Sequence, residues 1–351
     1  MRIEENKPLA PLTTLGIGGP ARWFVSAETE ADIAESASWA REKGTPLFVL
    51  GGGSNLLVAD AGFNGLVLHV ALKGITVQEG TLSAGRLYQV AAGEDWDQFV
   101  QRTVEDDCAG LECLAGIPGT AGGTPVQNVG AYGQEVATKI ESVRVFNLRE
   151  TGFEIFSKSL CGFGYRRSLF NSQMGNRFIV TRVDFRLASG GAPSLKYADL
   201  QREFPAGTNP TLKQVAETVR RIRQSKGMLI VDGDPDSCSA GSFFKNPIVS
   251  EAQAECIASV SGTEPPRYPA GADYTNMLKL SAAWLIEKAG FKKGYSLGRA
   301  GISTKHTLAL VNRGGATAAE ILALADKIRT AVAARFGVEL HIEPVMLGFD
   351  R

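Results

Sequence analysis

The sequence predicts a mixed α and β protein organised in three regions. Three observations carry that expectation. Helix-period and strand-like apolar runs interleave along all 351 residues. No apolar run approaches the roughly 18–20 residues that a membrane-spanning helix needs. Glycine is in excess, 40 of 351 residues, about 11% against a usual ~7%, and it gathers in a few apolar stretches.

The first region opens with a strand at Arg22, Trp23, Phe24 and Val25. Residues 27–43 then place Ile33, Ala34, Ala37 and Ala40 at helical spacing, with Glu28, Glu30 and Asp32 in the first turn and Gly44 as a stop. A buried strand follows at 46–50 and a second at 65–70, so the first seventy residues read as a βαβ-like unit. The second region has strands near 75–77 and 87–91 and a helix near 95–104. After a glycine-rich stretch come strands at 142–148, 153–156 and 178–187, with a turn at 149–152. The third region begins with a helix capped near Thr211 that carries Val215, Val219 and Ile222 on one face. A helix near 279–289 and another near 317–336, stopped by Gly337, come next. A last strand at 338–342 closes at Glu343-Pro344.

Composition excludes several function classes. The 37 basic and 37 acidic side chains balance, which leaves no electrostatic footprint for nucleic acid or an anionic membrane. A hydrophobic content of 44% suits packed cores. Five scattered Cys with no CxxC or Cys/His pairing argue against disulfides and zinc, and His69, His306 and His341 lie too far apart to suggest a metal site. Residues 1–10 contain Glu4, Glu5 and Pro8 and have no apolar core, unlike a signal peptide.

The glycines narrow the chemistry. Gly16 to Ala21 can be forced onto GxGxxG/A, but Pro20 and the strand after it remove the helix that a Rossmann site requires. Gly51, Gly52, Gly53, Ser54 and Asn55 follow a strand with no helix behind them, and Leu56 stands where a third glycine belongs. Such a run is either a flexible turn or a nest of N–H groups for an anion. Residues 110–133 hold seven Gly, with Glu112 as the only charge. That stretch suits close backbone approach by a large, flat, polar ligand, and Gln127 and Asn128 offer amides to a heteroaromatic edge; a tightly packed irregular loop is the other reading. Beyond it, Tyr165 and Arg166 lie among glycines, where an arginine can steady an anion formed in a reaction. Ser242 sits between Gly241 and two Phe, with no GxSxG elbow. Glu343 is a carboxylate fixed by the proline after it. Arg223 and Lys226 end a helix, where cations suit the dipole and can also grip phosphates.

In order and spacing, these segments resemble the UDP-N-acetylenolpyruvoylglucosamine reductase family over nearly the whole chain. The resemblance rests on Thr14 to Gly18, Leu50 to Asn55, Gly116-Ile117-Pro118-Gly119, Pro125 to Gly133, Gly164-Tyr165-Arg166, Ala240 to Pro247, Ala283 to Glu287 and Glu343-Pro344. It implies an α+β fold: an FAD-binding domain pair of the vanillyl-alcohol-oxidase type plus a C-terminal α/β substrate-binding domain. The boundaries it suggests are 1–70 joined by 337–351, then 71–210, then 211–336. FAD would be held by Gly51, Gly52, Gly53, Ser54, Asn55 and Leu56 and by Pro118, Gly119, Thr120, Gly122, Gly123 and Thr124, with Gln127 and Asn128 nearer the flavin ring. NADPH would be the co-substrate and an enolpyruvyl UDP-sugar the substrate. Arg166 with Glu343 would stabilise the anion formed on reduction, and Ser242 would deliver the proton. Tyr165, Tyr197, Arg223, Lys226 and Asn246 would contact the UDP-sugar. The family resemblance also implies a cytoplasmic monomer, with no metal, nucleic acid or membrane insertion. After Glu343-Pro344 the chain departs from the pattern, lacking a second acidic residue and an Arg that some members carry. Two alternatives are another FAD-dependent oxidoreductase of this fold and a non-catalytic binder of flavin or nucleotide sugar. Covalent flavin attachment is disfavoured because the glycine loops at 51–55 and 116–132 carry no Cys and His69 is the only His before residue 306.

Overall fold

The structure is a computed structural model and describes residues 1–80, 85–172, 177–270 and 274–349. The chain forms two compact units. Unit one comprises Met1–Asn6, Arg22–Gly52 and Gly65–Arg223, and unit two comprises Lys7–Ala21, Gly53–Asn64 and Gln224–Arg351.

In unit one the strands Leu47–Leu50 and Phe63–Val70 pair in parallel within a four-stranded sheet, order Glu4–Pro8, Pro20–Ala27, Phe63–Val70, Leu47–Leu50. Helix α1 (Glu30–Glu42) starts on a capping box in which Thr29 accepts from the Asp32 N–H and the Asp32 carboxylate accepts from Thr29. It buries Ile33, Ala37 and Ala40 in the same apolar cluster as Val25, Ala27, Leu66 and Leu68. A second, antiparallel sheet has the order Gly152–Ser157, Ile140–Asn147, Phe178–Ser189, Arg86–Ala91, Ile75–Gln78. Helix α2 (Trp96–Glu105), capped by the Asp95 carboxylate on Gln98 N–H, sets Phe99 5.3 Å from Phe185 of that sheet, ring to ring. Two further helices are α3 (Ala198–Glu203), which the sequence did not announce, and α4 (Leu212–Ser225). Val215, Ala216 and Val219 of α4 join the core of unit one, although the sequence suggested that this helix opens a third region.

Unit two packs a four-stranded sheet (order Ser239–Ser242, Ala309–Asn312, Ala300–Ile302, Ser296–Leu297) and a three-stranded one (Ile248–Ser250, Met277–Leu280, Arg267–Pro269) with helices α5 (Glu251–Ser261), α6 (Ala282–Lys288) and α7 (Ala318–Phe336). Helix α7 lies where the sequence placed it, because its signals are local. Thr317 and Glu320 form a capping box, Gly337 takes φ 64° at the C-terminal end, and Ile321, Leu324, Ala325, Ile328 and Val332 are buried. The Asp60 carboxylate also accepts the N–H groups of Ala318 and Ala319.

Two expectations are corrected in unit two. The helix expected from residue 279 begins only at Ala282, since Lys279 and Leu280 pair with Ile248 and Arg267 as strand and Ser281 is the N-cap, accepting from Trp284 N–H. The strand expected at 338–342 is an extended segment with one bridge, Ile342 to Phe244. Its alternation reflects burial of Val338 and Leu340. The last strand is Val345–Leu347, beyond Glu343-Pro344, parallel to Leu56–Val58.

Candidate active site

The two glycine loops of unit one lie against each other. Strand Leu47–Leu50 delivers Gly51 and Gly52 onto Gly119 and Thr120. A Cβ on Gly52 would stand 2.6 Å from Gly119 Cα, and one on Gly51 3.0 Å from Thr120 Oγ1. At Gly52 the obstructing atoms are backbone and cannot yield, so that contact requires glycine. The second loop is anchored from behind. Gly119 C=O accepts Trp96 N–H at 3.0 Å, Gly122 N–H donates to Ala92 C=O at 2.9 Å, and the buried Thr124 hydroxyl donates to Ala121 C=O at 2.8 Å. Gly122 is demanded by packing, because a Cβ there would meet Ala92 Cβ at 2.5 Å. Gly123 is different: its Cβ would find nothing nearer than Thr120 Oγ1 at 3.8 Å. Of these glycines, Gly123 presents the open Cα of the kind a phosphate-bearing dinucleotide approaches, while Gly51 and Gly52 face the opposite loop.

Ahead of this loop, residues 116–119 are clamped from both sides. Gly116 N–H donates to Asp97 Oδ1 at 2.6 Å, and Gly116 C=O accepts from Arg223 Nε at 3.1 Å. Asp97 also pairs with Arg220 at 2.7 Å. Arg223 therefore braces the loop that contains Pro118, a role the sequence did not suggest. Burial lowers its pKa from the usual value, and the nearby Tyr132 and Asp97 oppose that shift. The Tyr132 hydroxyl is pushed up to about 12, chiefly by burial. Its ring meets Tyr197 edge-on, centroids 5.4 Å apart and planes at 85°.

Arg166 stands on a tight turn. Gly164 and Arg167 exchange both backbone hydrogen bonds, at 2.9 and 3.2 Å, which leaves Tyr165 and Arg166 at the corners. Arg166 adopts φ 52°. Its Nη2 donates to Gly130 C=O at 3.1 Å, its own carbonyl accepts from Asn171 Nδ2 at 3.1 Å, and its guanidinium lies 5.7 Å from the Tyr165 ring centroid. The side chain of Asn128 turns inward. It is 2% exposed, with φ 46°, and both its amide donation and its acceptance go to protein groups: Glu135 Oε2 at 2.9 Å, Gly164 C=O at 3.0 Å and Ala137 N–H at 3.1 Å. Gln127 is half-buried.

In unit two, Gly53 owes its identity to the fold: at φ 61° a Cβ would lie 1.9 Å from Leu12 C=O. Thr14 N–H donates to Gly53 C=O, and the Thr14 hydroxyl donates to the Ser54 and Ser239 carbonyls at 3.3 and 2.7 Å. Leu56 is buried and pairs with Val345. Asn55 Nδ2 donates to Glu343 C=O at 3.4 Å, while Val345 N–H donates to Asn55 C=O at 2.9 Å. Glu343 N–H donates to Phe243 C=O at 2.9 Å, and Phe244 bridges to Ile342. Ser242, the last residue of its strand, thus directly precedes the residue that Glu343 binds, and Phe243 and Phe244 are buried. Asn246 Oδ1 accepts Ala282 N–H at 2.9 Å, at the start of α6. Lys226 contributes to a cationic group with Lys293 beside His306, whose pKa is pushed down to about 4 by burial and by those two charges. Asp97, Tyr132, Lys293 and His306 carried no sequence signal, because each acts through partners remote in the chain.

Comparison with known proteins fits this geometry. The family described as FAD binding domain matches residues 21–152, and the family described as UDP-N-acetylenolpyruvoylglucosamine reductase, C-terminal domain, matches residues 234–347. The chain is 47% identical to a UDP-N-acetylenolpyruvoylglucosamine reductase of Streptomyces coelicolor, covering 98% of this chain and 90% of that one. It is 46% identical to that of Thermobifida fusca, covering 98% and 97%. Among solved structures, the reductase of the same name from Thermus caldophilus superposes with a TM-score of 0.66 at 29% identity, over 99% of both chains.

Proposed function

The chain belongs to the UDP-N-acetylenolpyruvoylglucosamine reductase family and is an FAD-dependent reductase acting in peptidoglycan precursor synthesis, and from that premise we propose which of its residues perform the reaction. When bound, FAD would supply the hydride transfer between NADPH and the enolpyruvyl group of UDP-N-acetylglucosamine enolpyruvate, which with one proton gives UDP-N-acetylmuramate. The paired loops of Gly51 and Gly52 with Gly119 and Thr120, open at the Cα of Gly123 and supported by Gly122 and Thr124, are the cradle for its pyrophosphate. Pro118 of unit one and Gly53, Ser54, Asn55 and Leu56 of unit two are assigned to the same cofactor, and Gln127 to the flavin edge.

Reduction of the enolpyruvyl group places negative charge on the substrate carboxylate and its adjoining carbon. Arg166 is the cation held for that charge, since its turn and its bond to Gly130 fix the guanidinium before substrate arrives. Ser242 hands a proton to the carbon, and Glu343, tied to Phe243 one residue away, aids the same charge shift. The observation that supports these roles is that Glu343 N–H donates to the carbonyl of Phe243, the residue after Ser242, while Asn55 Nδ2 donates to Glu343 C=O, contacts invisible in the sequence. Tyr165, Tyr197, Lys226 and Asn246 contact the UDP-sugar. Lys226, in the cationic group with Lys293, suits its diphosphate, and Arg223 supports the site from behind the residue 116–119 loop.

The division into FAD-binding subdomains at 1–70 with 337–351 and at 71–210, and a substrate-binding domain at 211–336, remains part of this proposal, as do a monomeric state, a cytoplasmic location, and no metal or nucleic-acid partner. Among the described residues no helix is long and apolar enough to cross a membrane. The test is Ser242→Ala on the flavin-loaded enzyme. NADPH should still bleach the flavin, while reoxidation by the enolpyruvyl substrate slows by ~10²–10⁴. Normal turnover would remove Ser242 from the reaction.

A further inference from the structure

We propose that Asn128 is a positioning residue for Arg166, acting through the turn of residues 164–167, and not a contact to the flavin. The inference rests on the reductase reading for the role of Arg166 and deepens it.

Three hydrogen bonds stitch the glycine-rich loop to the segment that carries Arg166. The Ser168 hydroxyl donates to Val126 C=O at 2.5 Å, Asn128 Nδ2 donates to Gly164 C=O at 3.0 Å, and Arg166 Nη2 donates to Gly130 C=O at 3.1 Å. Alternate residues 126, 128 and 130 of one loop thus hold 168, 164 and 166 of the other. The outer bonds end on backbone carbonyls, which any residue supplies. Only the middle one depends on a side chain of the glycine-rich loop.

The chemistry at that point selects asparagine. The backbone is left-handed, φ 46°, which Asn tolerates better than most side chains. The side chain must donate twice, to the Glu135 carboxylate and to Gly164 C=O, and accept once, from Ala137 N–H. Aspartate shares the shape and the left-handed tolerance but can make neither donation when ionised. With the side chain 2% exposed, nothing in water replaces these partners. The amide is oriented by three protein groups and fixes where Gly164 sits, and Gly164 is one of the two residues whose mutual hydrogen bonds hold Arg166 at the corner.

The experiment is Asn128→Asp, alone and with Glu135→Gln. The single variant turns a donor into an anion facing another carboxylate. FAD affinity and the flavin absorption spectrum should match the parent, as should the rate at which NADPH bleaches the flavin. Reoxidation by UDP-N-acetylglucosamine enolpyruvate should slow by about 10²-fold, the scale expected when a reacting group is displaced by ~1 Å. Adding Glu135→Gln removes the repulsion at residue 135 but leaves Gly164 C=O facing a carboxylate, so it should recover less than about tenfold of that loss. In parallel, hydrogen exchange at the amides of Gly164 and Arg167 should accelerate at least about tenfold in the single variant and stay fast in the double. Weakened FAD binding or a shifted flavin spectrum, with normal reoxidation per bound flavin, would make Asn128 a flavin contact and overturn the proposal. Unchanged exchange at Gly164 and Arg167 would overturn it independently of any activity. A parent enzyme that this substrate cannot reoxidise would instead refute the reductase reading, while the exchange result would still decide what Asn128 holds.

Discussion

Gly122 and Gly123 are neighbours in sequence with opposite surroundings, and replacing each by alanine separates a glycine kept for packing from one kept for a ligand. A Cβ on Gly122 would stand 2.5 Å from Ala92 Cβ and 3.0 Å from Ala92 Cα, in the interior. Gly122→Ala overpacks that contact and should destabilise the protein by about 1–3 kcal/mol with or without cofactor. At Gly123 the nearest atom is Thr120 Oγ1 at 3.8 Å, ordinary van der Waals distance, and the backbone is not in the left-handed region. Gly123→Ala should therefore leave the apoprotein as stable or stabilise it by roughly 0.4–1 kcal/mol, through the narrower freedom of the unfolded chain. If the cofactor pyrophosphate backs onto bare Cα at residue 123, the added methyl occupies its space. FAD affinity should fall at least about tenfold, or ~1.4 kcal/mol. Calorimetric titration of FAD into each apoprotein, with thermal unfolding before and after loading, reads both quantities. A Gly123→Ala protein that binds FAD as tightly as the parent would refute the assignment of this surface to the cofactor.

Other expected outcomes follow from the same geometry. Glu112 is 1% exposed, and its carboxylate accepts from Gly110 N–H, Gln134 Nε2 and Ser194 N–H at 2.6, 2.7 and 2.8 Å. Glu112→Ala strands buried donors and should destabilise by about 3 kcal/mol in chemical denaturation. His306 has its pKa lowered from 6.5 to about 4 by burial and the charges of Lys226 and Lys293. The unfolded chain binds the proton more readily, so this group's stability contribution is intact above pH 6.5 and is lost as pH falls toward 4. His306→Gln should flatten the loss between those limits by roughly 2 kcal/mol, read from denaturation midpoints across pH.

Local signals in the sequence located the elements that local chemistry decides. Thr317, Glu320 and Gly337 mark helix α7 at both ends, and Asp32 marks the first turn of α1. Where the deciding partner is remote, the pattern misleads. The alternation of Val338, Leu340 and Ile342 looks like a strand because Val338 and Leu340 are buried and Ile342 packs against the same core, yet only Ile342 bridges to a neighbour. Lys279 and Leu280 pass for the start of a helix because the pairing with Ile248 and Arg267 is invisible in sequence. The same limit applies to the site. The glycine loops were legible as a place for close backbone approach. Which glycine serves the fold was not, since Gly53 answers to Leu12 and Gly122 to Ala92. Asn128 reads in the sequence as an amide for a ligand, and its partners Glu135, Ala137 and Gly164 are not visible there.

The most direct measurement follows the flavin of the purified, FAD-loaded protein through one turnover. NADPH alone should bleach its absorption, and subsequent addition of UDP-N-acetylglucosamine enolpyruvate without oxygen should restore the colour and release UDP-N-acetylmuramate in a one-to-one amount. A flavin that stays reduced when this substrate is added, or a protein that takes up no FAD, would contradict the assignment of the chain as this reductase.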